Sequence, residues 1–391
     1  MERKPIAWFI SQSNTDFMQD IENLRSKLRE KLEWGKLATF VPNKAQPIYN
    51  WFYYKEGFAK ELVLNLLEQF KLKPGHLVLD PFCGSGTTLL TCKEKGIESI
   101  GFDTLPVSVF ASRVKTQDYD IENLKNTSEW VFSQKFKYAI PEMPKNYRRF
   151  FTKHTVEDIA FFRNLLSLVK DKPAKEFLLL GMINTAMKCS HVWKDGGVLK
   201  IRKHPVPPFR NLYRRVIKRM IKDYERFANV TNRTKEVRVF VDLGDARKLN
   251  VESESVNGII TSPPYLNQID YTKVYTIENW FIGQPRPALR SYLGLREGMV
   301  SEEAENLYLN DMERVIFEMY RVCRPGAKVA VVVGNAYIPD RVVEVDMILS
   351  KMAQDTGFKV NQILVLNKRF ALRGRTIKVG VLRESAILLE K

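Results

Sequence analysis

Asp80-Pro81-Phe82-Cys83-Gly84-Ser85-Gly86-Thr87-Thr88 is the stretch that decides the fold. The apolar run Leu77-Val78-Leu79 leads into it, and a helical pattern over about 86–95 follows and stops at Gly96. Glycines in a turn after a strand let a ligand approach the backbone, because no side chain stands in the way. A second strand, Ser99-Ile100-Gly101-Phe102, ends on Asp103, so a β-α-β unit carries an acid at the end of both its strands. A Walker-type phosphate loop is excluded, since no lysine follows the glycines. A loop that opens on a carboxylate suits a cationic ligand better than a pyrophosphate. A lone Gly-x-Gly is often only a tight turn; here nine residues fit together with two later acids, Asp103 and Asp245. Thr87 and Thr88 are expected to cap the helix.

A second run, Thr261-Ser262-Pro263-Pro264-Tyr265, follows the apolar pair Ile259-Ile260. Two prolines make a rigid turn, which preorganises whatever polar atoms it carries. That suits transfer to an exocyclic amine, a poor nucleophile because its lone pair is conjugated with its ring. Acceptors must hold the amine hydrogens so that the nitrogen can pyramidalise. The Ser262 hydroxyl and the Pro263 carbonyl are the candidate acceptors, and Tyr265 offers a face on which an extruded base stacks. The alternative meaning of Pro-Pro-Tyr, a polyproline surface turn, fits poorly directly after a buried strand. Together the two runs describe a site for S-adenosylmethionine, whose methionine end carries an ammonium and a sulfonium. Asp103 would accept from the ribose hydroxyls and Asp245 from the adenine amino group. Cys83 need not be a nucleophile, because transfer is direct.

Outside about 115–235 the β/α rhythm predicts a mostly parallel sheet covered by helices, with ligands at the carboxyl ends of its strands. Helices are expected over 14–34, 57–71, 304–323 and 340–356, and strands over 237–241, 256–260, 329–333, 359–366 and 384–390. Arg324-Pro325-Gly326 reads as a turn and 285–303 as a polar segment. Residues 115–235 read as mostly helical, without strong strand alternation.

The charge is as uneven as the rhythm. The 391-residue chain has a net charge of +17. Residues 121–240 hold 26 Lys and Arg against 11 Asp and Glu, whereas the remainder holds 36 against 34. Residues 196–222 contain no acid. A helix starting after Pro207-Pro208 would place Phe209, Leu212, Val216, Met220 and Tyr224 on one face and Arg210, Arg214, Lys218 and Lys222 on another. A charge run is most often a solvated surface; beside a base-modifying site it reads as a phosphate-binding face. Lys200, Arg202, Lys203, Arg210, Arg214, Arg215, Lys218, Arg219 and Lys222 are the candidate DNA contacts. Trp193 reads as a packing residue.

The four cysteines form no C-x-x-C pair and follow no secretory signal, so they read as reduced thiols of a cytoplasmic protein. Cys189 and His191 are too few for a zinc site, and no metal is expected. No apolar stretch reaches a membrane-spanning length, so no membrane partner is expected.

Asp-Pro-Phe-x-Gly-Ser-Gly-Thr-Thr with Thr-Ser-Pro-Pro-Tyr resembles motifs I and IV of the DNA amino-methyltransferases of restriction–modification systems. The aromatic segment 49–58 is loosely similar to their motif X, which lies beside the methionine end of the cofactor. The resemblance covers 47–115 and 236–391. It implies an α/β, Rossmann-like class I methyltransferase domain there, after an N-terminal helical segment (1–46) and interrupted by a basic helical insert (116–235) that would recognise DNA. It implies S-adenosylmethionine bound by Asp80, Pro81, Phe82, Cys83, Gly84, Gly86, Asp103 and Asp245. Catalysis would fall to Ser262, Pro263, Pro264 and Tyr265, acting on a base flipped out of double-stranded DNA. A cognate restriction endonuclease is a candidate partner. Ser before Pro-Pro is more usual among N4-cytosine members and Asp or Asn among N6-adenine ones, so N4-cytosine is expected, with N6-adenine as the alternative. An RNA guanosine-N2 enzyme and an inactive DNA-binding subunit are further alternatives. Intact Ser262 and Tyr265 speak against the latter, and the lack of a recognisable RNA-binding module speaks weakly against the former.

Overall fold

A computed structural model describes residues 15–195, 198–230, 237–266, 270–283, 301–338, 341–373 and 376–391. Its strands are β1 (Leu28–Glu30), β2 (Leu77–Asp80), β3 (Glu98–Asp103), β4 (Val192–Asp195), β5 (Val198–Ile201), β6 (Val239–Leu243), β7 (Val256–Thr261), β8 (Cys323–Gly334), β9 (Ala336–Ile338), β10 (Arg341–Val343), β11 (Lys359–Arg373) and β12 (Ile377–Glu390). Eight of them form one sheet in the order β1-β11-β12-β8-β7-β2-β3-β6. Neighbours from β8 to β6 run parallel, whereas β12 is antiparallel to both β8 and β11. The chain moves outward from β2 through β3 to β6, then returns to the other side of β2 with β7 and β8. The topological switch point therefore lies between β2 and β7, where open α/β sheets hold their ligands. This is the α/β, Rossmann-like class I methyltransferase architecture expected from the sequence.

The period-two alternation of strand side chains divides the core into two layers. Leu79, Ile259, Val329, Val331, Ile363 and Ile387 face one cluster; Val78, Ile260, Ala330, Leu364, Ala386 and Leu388 face another. The first layer is covered by α1 (Thr15–Arg25), α12 (Ser301–Val322) and α13 (Val345–Thr356), the second by α2 (Lys60–Gln69), whose Leu62, Val63, Leu66 and Leu67 are buried. Helix α3 (Thr87–Glu94) follows the glycine loop and α4 (Pro106–Thr116) follows β3.

The insert is built from α5 (Ile121–Ser133), α6 (Lys145–Arg148), α7 (Lys153–Ser167), α8 (Lys172–Lys188) and α9 (Phe209–Val230). Short polar side chains start three of these helices: Asp120, Thr152 and Asp171 each accept a backbone N–H of the first turn. The insert shares one apolar cluster with α4 and the aromatic segment 49–54. Trp51 anchors that join: its Nε1–H donates to Asp223 at 3.2 Å, its carbonyl accepts from Asn184 at 2.9 Å, and its ring packs on Phe177. Two short helices, α10 (Tyr271–Val274) and α11 (Thr276–Ile282), lie between the site and the insert.

The structure departs from the sequence reading in four places. The helix expected over 14–34 ends at Arg25, and Leu28–Glu30 instead pairs in parallel with Ile363–Val365 at the sheet edge. An open edge offers a full backbone ladder, which outweighs a weak helical period. Second, the insert is mostly helical as expected but also carries two strands that no alternation marked: β4 and β5 form an antiparallel hairpin. Third, the closing strands run well past 366 and begin well before 384, because β11 and β12 continue to pair beyond the sheet. Fourth, β8 begins at Cys323 and absorbs Arg324-Pro325-Gly326, with a register irregularity opposite Val256 and Gly258. The polar segment 285–303 lies almost wholly outside the described residues.

Candidate functional site

The carboxyl ends of β2, β3, β7 and β8 open onto a cavity of about 620 Å³. Its wall includes the glycine loop, Asp103, Asp245, Ser262, Pro264 and Tyr265, so the two motifs, 181 residues apart at the Asp80–Thr261 contact, share one space. Pro263 is buried beneath the turn and is not among the lining residues described.

The loop is held in shape by its neighbours. Cys83 N–H donates to the Phe102 carbonyl at 2.8 Å, and Gly86 N–H donates back to the Cys83 carbonyl at 2.8 Å. Ser112 Oγ donates to the Gly84 carbonyl at 2.8 Å. Gly84 and Gly86 have φ of +50° and +79°. Their missing side chains serve packing as much as ligand approach: a Cβ on Gly84 would lie 2.9 Å from the Tyr54 ring, and one on Gly86 2.8 Å from Ser112 Oγ. Thr87 and Thr88 do not cap α3, whose N-cap is Gly86. Thr88 Oγ1 instead donates to the Ile260 carbonyl at 3.2 Å, tying the helix to β7. Thr87 Oγ1 accepts from Asn43.

Asp80 and Asp103 are the electrostatic centre. Asp80 Oδ1 accepts from Thr261 Oγ1 at 2.7 Å and from Phe82 N–H at 3.2 Å. Asp103 accepts from Gly84 N–H at 2.9 Å on one oxygen and from Leu105 N–H at 2.8 Å on the other. Among the described residues both take hydrogen bonds only from hydroxyl and backbone N–H groups. Burial pushes each carboxyl up to about 6, and among the described residues no cationic side chain bonds to either. Asp245 is held differently: Arg247 Nε donates to it at 2.8 Å, and Arg247 Nη1 reaches Asp311 at 2.8 Å. The Cys83 thiol is buried and pushed up by burial, Asp103 and Asp80, which leaves it a packing residue.

At the other end, Tyr265 is half-buried and its hydroxyl donates to Glu384 Oε1 at 2.9 Å. Its ring lies over Gly334, where a Cβ would come within 2.8 Å. Burial raises the Glu384 carboxyl above the usual range. Asn335 is buried at the end of β8, and its Oδ1 accepts from Asp346 N–H at 3.1 Å. Arg383 pairs with Asp346 behind it.

Sequence reasoning missed Lys115 and Glu384, and placed Tyr54 only as part of the segment 49–58 beside the cofactor. Tyr54 lines the cavity and stacks on Tyr275, with centroids 5.0 Å apart. Lys115 is buried under the loop, donating to the Ser85 carbonyl at 3.1 Å and the Phe52 carbonyl at 3.4 Å; burial brings its pKa down to about 7. Glu384 also lines the site, and its signal was available as an acid at the head of the apolar run Ala386-Ile387-Leu388-Leu389.

The candidate DNA contacts separate into three groups. Lys200, Arg202 and Lys203 are exposed on and just after the hairpin. Arg215, Lys218, Arg219 and Lys222 are exposed along α9. Arg210 and Arg214 donate to the Gln134 and Phe132 carbonyls of the insert itself. Among the described residues no cluster of metal-ligating side chains occurs, and no helix is long and apolar enough to cross a membrane.

Comparison with known proteins agrees with this geometry. The chain is 27% identical to the type II methyltransferase M.BsoBI of Geobacillus stearothermophilus, over 97% of this chain and 94% of that protein. It is 26% identical to the type II methyltransferase M.AvaI of Anabaena variabilis, over 91% and 90%. With the type II methyltransferase M.MjaII of Methanocaldococcus jannaschii it shares 23% identity over 82% and 78%. The DNA methylase family of N6/N4 methyltransferases matches residues 9–109 and 256–389, the segments that build both motifs and every strand of the sheet but β6, and the chain belongs to that family.

Proposed function

We propose that this DNA methyltransferase transfers the methyl group of S-adenosylmethionine to the exocyclic N4 of cytosine in double-stranded DNA, as the type II modification enzyme of a cytoplasmic restriction–modification system. A cognate endonuclease would be its companion. The observation that carries the reading is Ser262, half-buried in the wall of the same cavity that holds Asp80 and Asp103.

The residues present suit the methyl donor. A buried carboxylate, Asp80, and a half-buried one, Asp103, with only neutral partners call for a cationic ligand, and a cavity of about 620 Å³ lies within the range of roughly 300–1,000 Å³ usual for small-molecule sites. When bound, S-adenosylmethionine supplies a methyl group made electrophilic by its sulfonium. Asp80, Asp103 and the loop backbone would hold it, with the Tyr54 ring closing one wall.

Ser262 and the Pro263 carbonyl would accept the amine hydrogens and orient the nitrogen lone pair, which needs no covalent intermediate. Tyr265, fixed by Glu384 and Gly334, would present its ring to the extruded base. The insert, 116–235, would supply the phosphate contacts through Lys200, Arg202, Lys203, Arg215, Lys218, Arg219 and Lys222. The serine before Pro-Pro, together with a half-buried hydroxyl at that position, supports cytosine over adenine.

Expression in a methylation-free host, followed by nucleoside mass spectrometry of its DNA, tests the reading. N4-methylcytosine is expected. N6-methyladenine would overturn the choice of base, and labelled methyl found only in RNA would overturn the choice of substrate.

A further inference from the structure

The hairpin β4–β5 has two unlike faces. Val192 and Leu199 pack on the core of the insert. Lys194, from the same face, sets its Nζ 2.5 Å from Glu278 Oε1 and 3.7 Å from the centroid of Tyr275. Strand alternation sends Trp193 and its cross-strand partner Lys200 to the opposite face. There the indole is 50% exposed, with the Arg202 guanidinium 5.2 Å from its ring. The Arg202 backbone is fixed, since its amide N–H donates to the His191 carbonyl at 2.8 Å.

A half-exposed tryptophan flanked by two cations, Lys200 and Arg202, that open a stretch without acids from 196 to 222, fits a polyanion that also offers aromatic faces. Its position relative to the cavity is equally specific. Tyr275, under Lys194, stacks on Tyr54, which lines the cavity and abuts Gly84. Strand β5 lies against α10, whose Tyr271 lines the same cavity. The hairpin therefore borders the wall of the cavity that would receive the base.

We infer that Trp193 stacks on the DNA step left open when the substrate base is extruded, while Lys200 and Arg202 hold the flanking phosphates. The inference rests on the DNA-methylating, base-flipping reading above. Extrusion breaks the stack on both sides of the flipped base, and an indole presented there replaces part of what is lost. Trp193 therefore acts on the cost of opening the duplex, whereas Arg202 acts through charge.

The test first uses unmethylated bacterial genomic DNA to find the modified sequence, then a short duplex containing it. Binding is measured by fluorescence anisotropy with the unreactive analogue sinefungin present. W193A should bind the paired duplex about tenfold or more weakly and W193F nearly as well as the parent. The W193A defect should shrink on a duplex mismatched at the target base, with sinefungin affinity and melting temperature unchanged. R202A should lower the salt dependence of binding by about one ion equally on both duplexes. Parental affinity of W193A for the paired duplex, or an equal loss on paired and mismatched duplexes, would refute the inference. A parent chain that methylates no DNA would refute the underlying reading as well. A parent that methylates DNA beside an unimpaired W193A would refute only the role of Trp193.

Discussion

The ring of Tyr54 lies on that of Tyr275, centroids 5.0 Å apart and planes 17° apart, and stands over Gly84, where a Cβ would come within 2.9 Å of it. The stack leaves the ring no room to retreat, so the glycine loop and the aromatic wall fix one another. Gly84→Ala combines that clash with a φ of +50°, a region costing an L-residue about 1–2 kcal/mol. S-adenosylmethionine affinity measured by calorimetry should fall by about tenfold or more. Gly75→Ala is the control: its φ is +88° but nothing lies within 4 Å of the added carbon. It should lower stability while leaving affinity unchanged. Equal affinity in the two variants would show that Tyr54 does not constrain the loop.

Asp80 and Asp103 predict opposite pH responses for the free and the liganded protein. Burial raises both from 3.8 to about 6. Between those values the folded state binds protons that the unfolded state has released, so these groups contribute stability as pH falls from about 6 towards 4. A cationic ligand selects the ionised carboxylates, so affinity for S-adenosylmethionine should decline as pH falls through about 6, by up to about tenfold per unit for each coupled proton. Calorimetric titration across pH 5–7.5 checks this. A flat profile would show that neither carboxylate faces the cation.

Much of this site is legible in the sequence because its parts are local. Asp80 to Thr88 and Thr261 to Tyr265 each carry turn, charge and position within a few residues. What escapes the sequence depends on distant pairing. Leu28–Glu30 follows a helical period and becomes a strand only because β11 exposes an edge. Lys115 looks like an ordinary helix residue until the Ser85 and Phe52 carbonyls close over it. Arg210 and Arg214 share the spacing of Lys218 and Lys222, yet two carbonyls of the insert lie within their reach and not within that of the other pair.

Lys115 should leave a signature in stability. Its pKa falls from 10.5 to about 7 on burial. Above about 7 the folded lysine is neutral while the unfolded one still binds a proton, so stability rises with pH. The clean window ends near about 8.5, where unfolded cysteines begin to titrate. In urea melts between pH 7 and that limit, Lys115→Met should flatten the rise. It should also leave the Ser85 and Phe52 carbonyls without this donor, costing about 1–3 kcal/mol. An unchanged pH slope would mean that the lysine is not buried as described.

Ser262→Ala separates binding from chemistry. Asp80, Asp103 and Ser262 line one cavity, and the reading proposed above gives the two carboxylates to the cofactor and Ser262 to the amine. Single-turnover methyl transfer should drop about 10²-fold or more with unchanged affinity for S-adenosylmethionine. A loss of affinity with normal turnover would move Ser262 from the amine to the cofactor.

The insert's cations should divide by role. Arg214 Nη2 donates to the Phe132 carbonyl at 2.8 Å, and its guanidinium lies 5.4 Å from the Phe132 ring centroid. Arg210 likewise bonds the Gln134 carbonyl and faces Phe161 and Phe162. Both clamp α9 to its neighbours, so R210A and R214A should lower the melting temperature. Lys218 and Lys222 project from α9 into solvent. K218A and K222A should leave melting unchanged and each reduce the slope of log affinity against log salt by about one. The two measurements are independent, because a clamp acts within the protein and a phosphate contact releases a counterion only when DNA binds. A reduced salt slope in R214A at an unchanged melting temperature would place that arginine on DNA and its carbonyl bond among the contacts that DNA displaces.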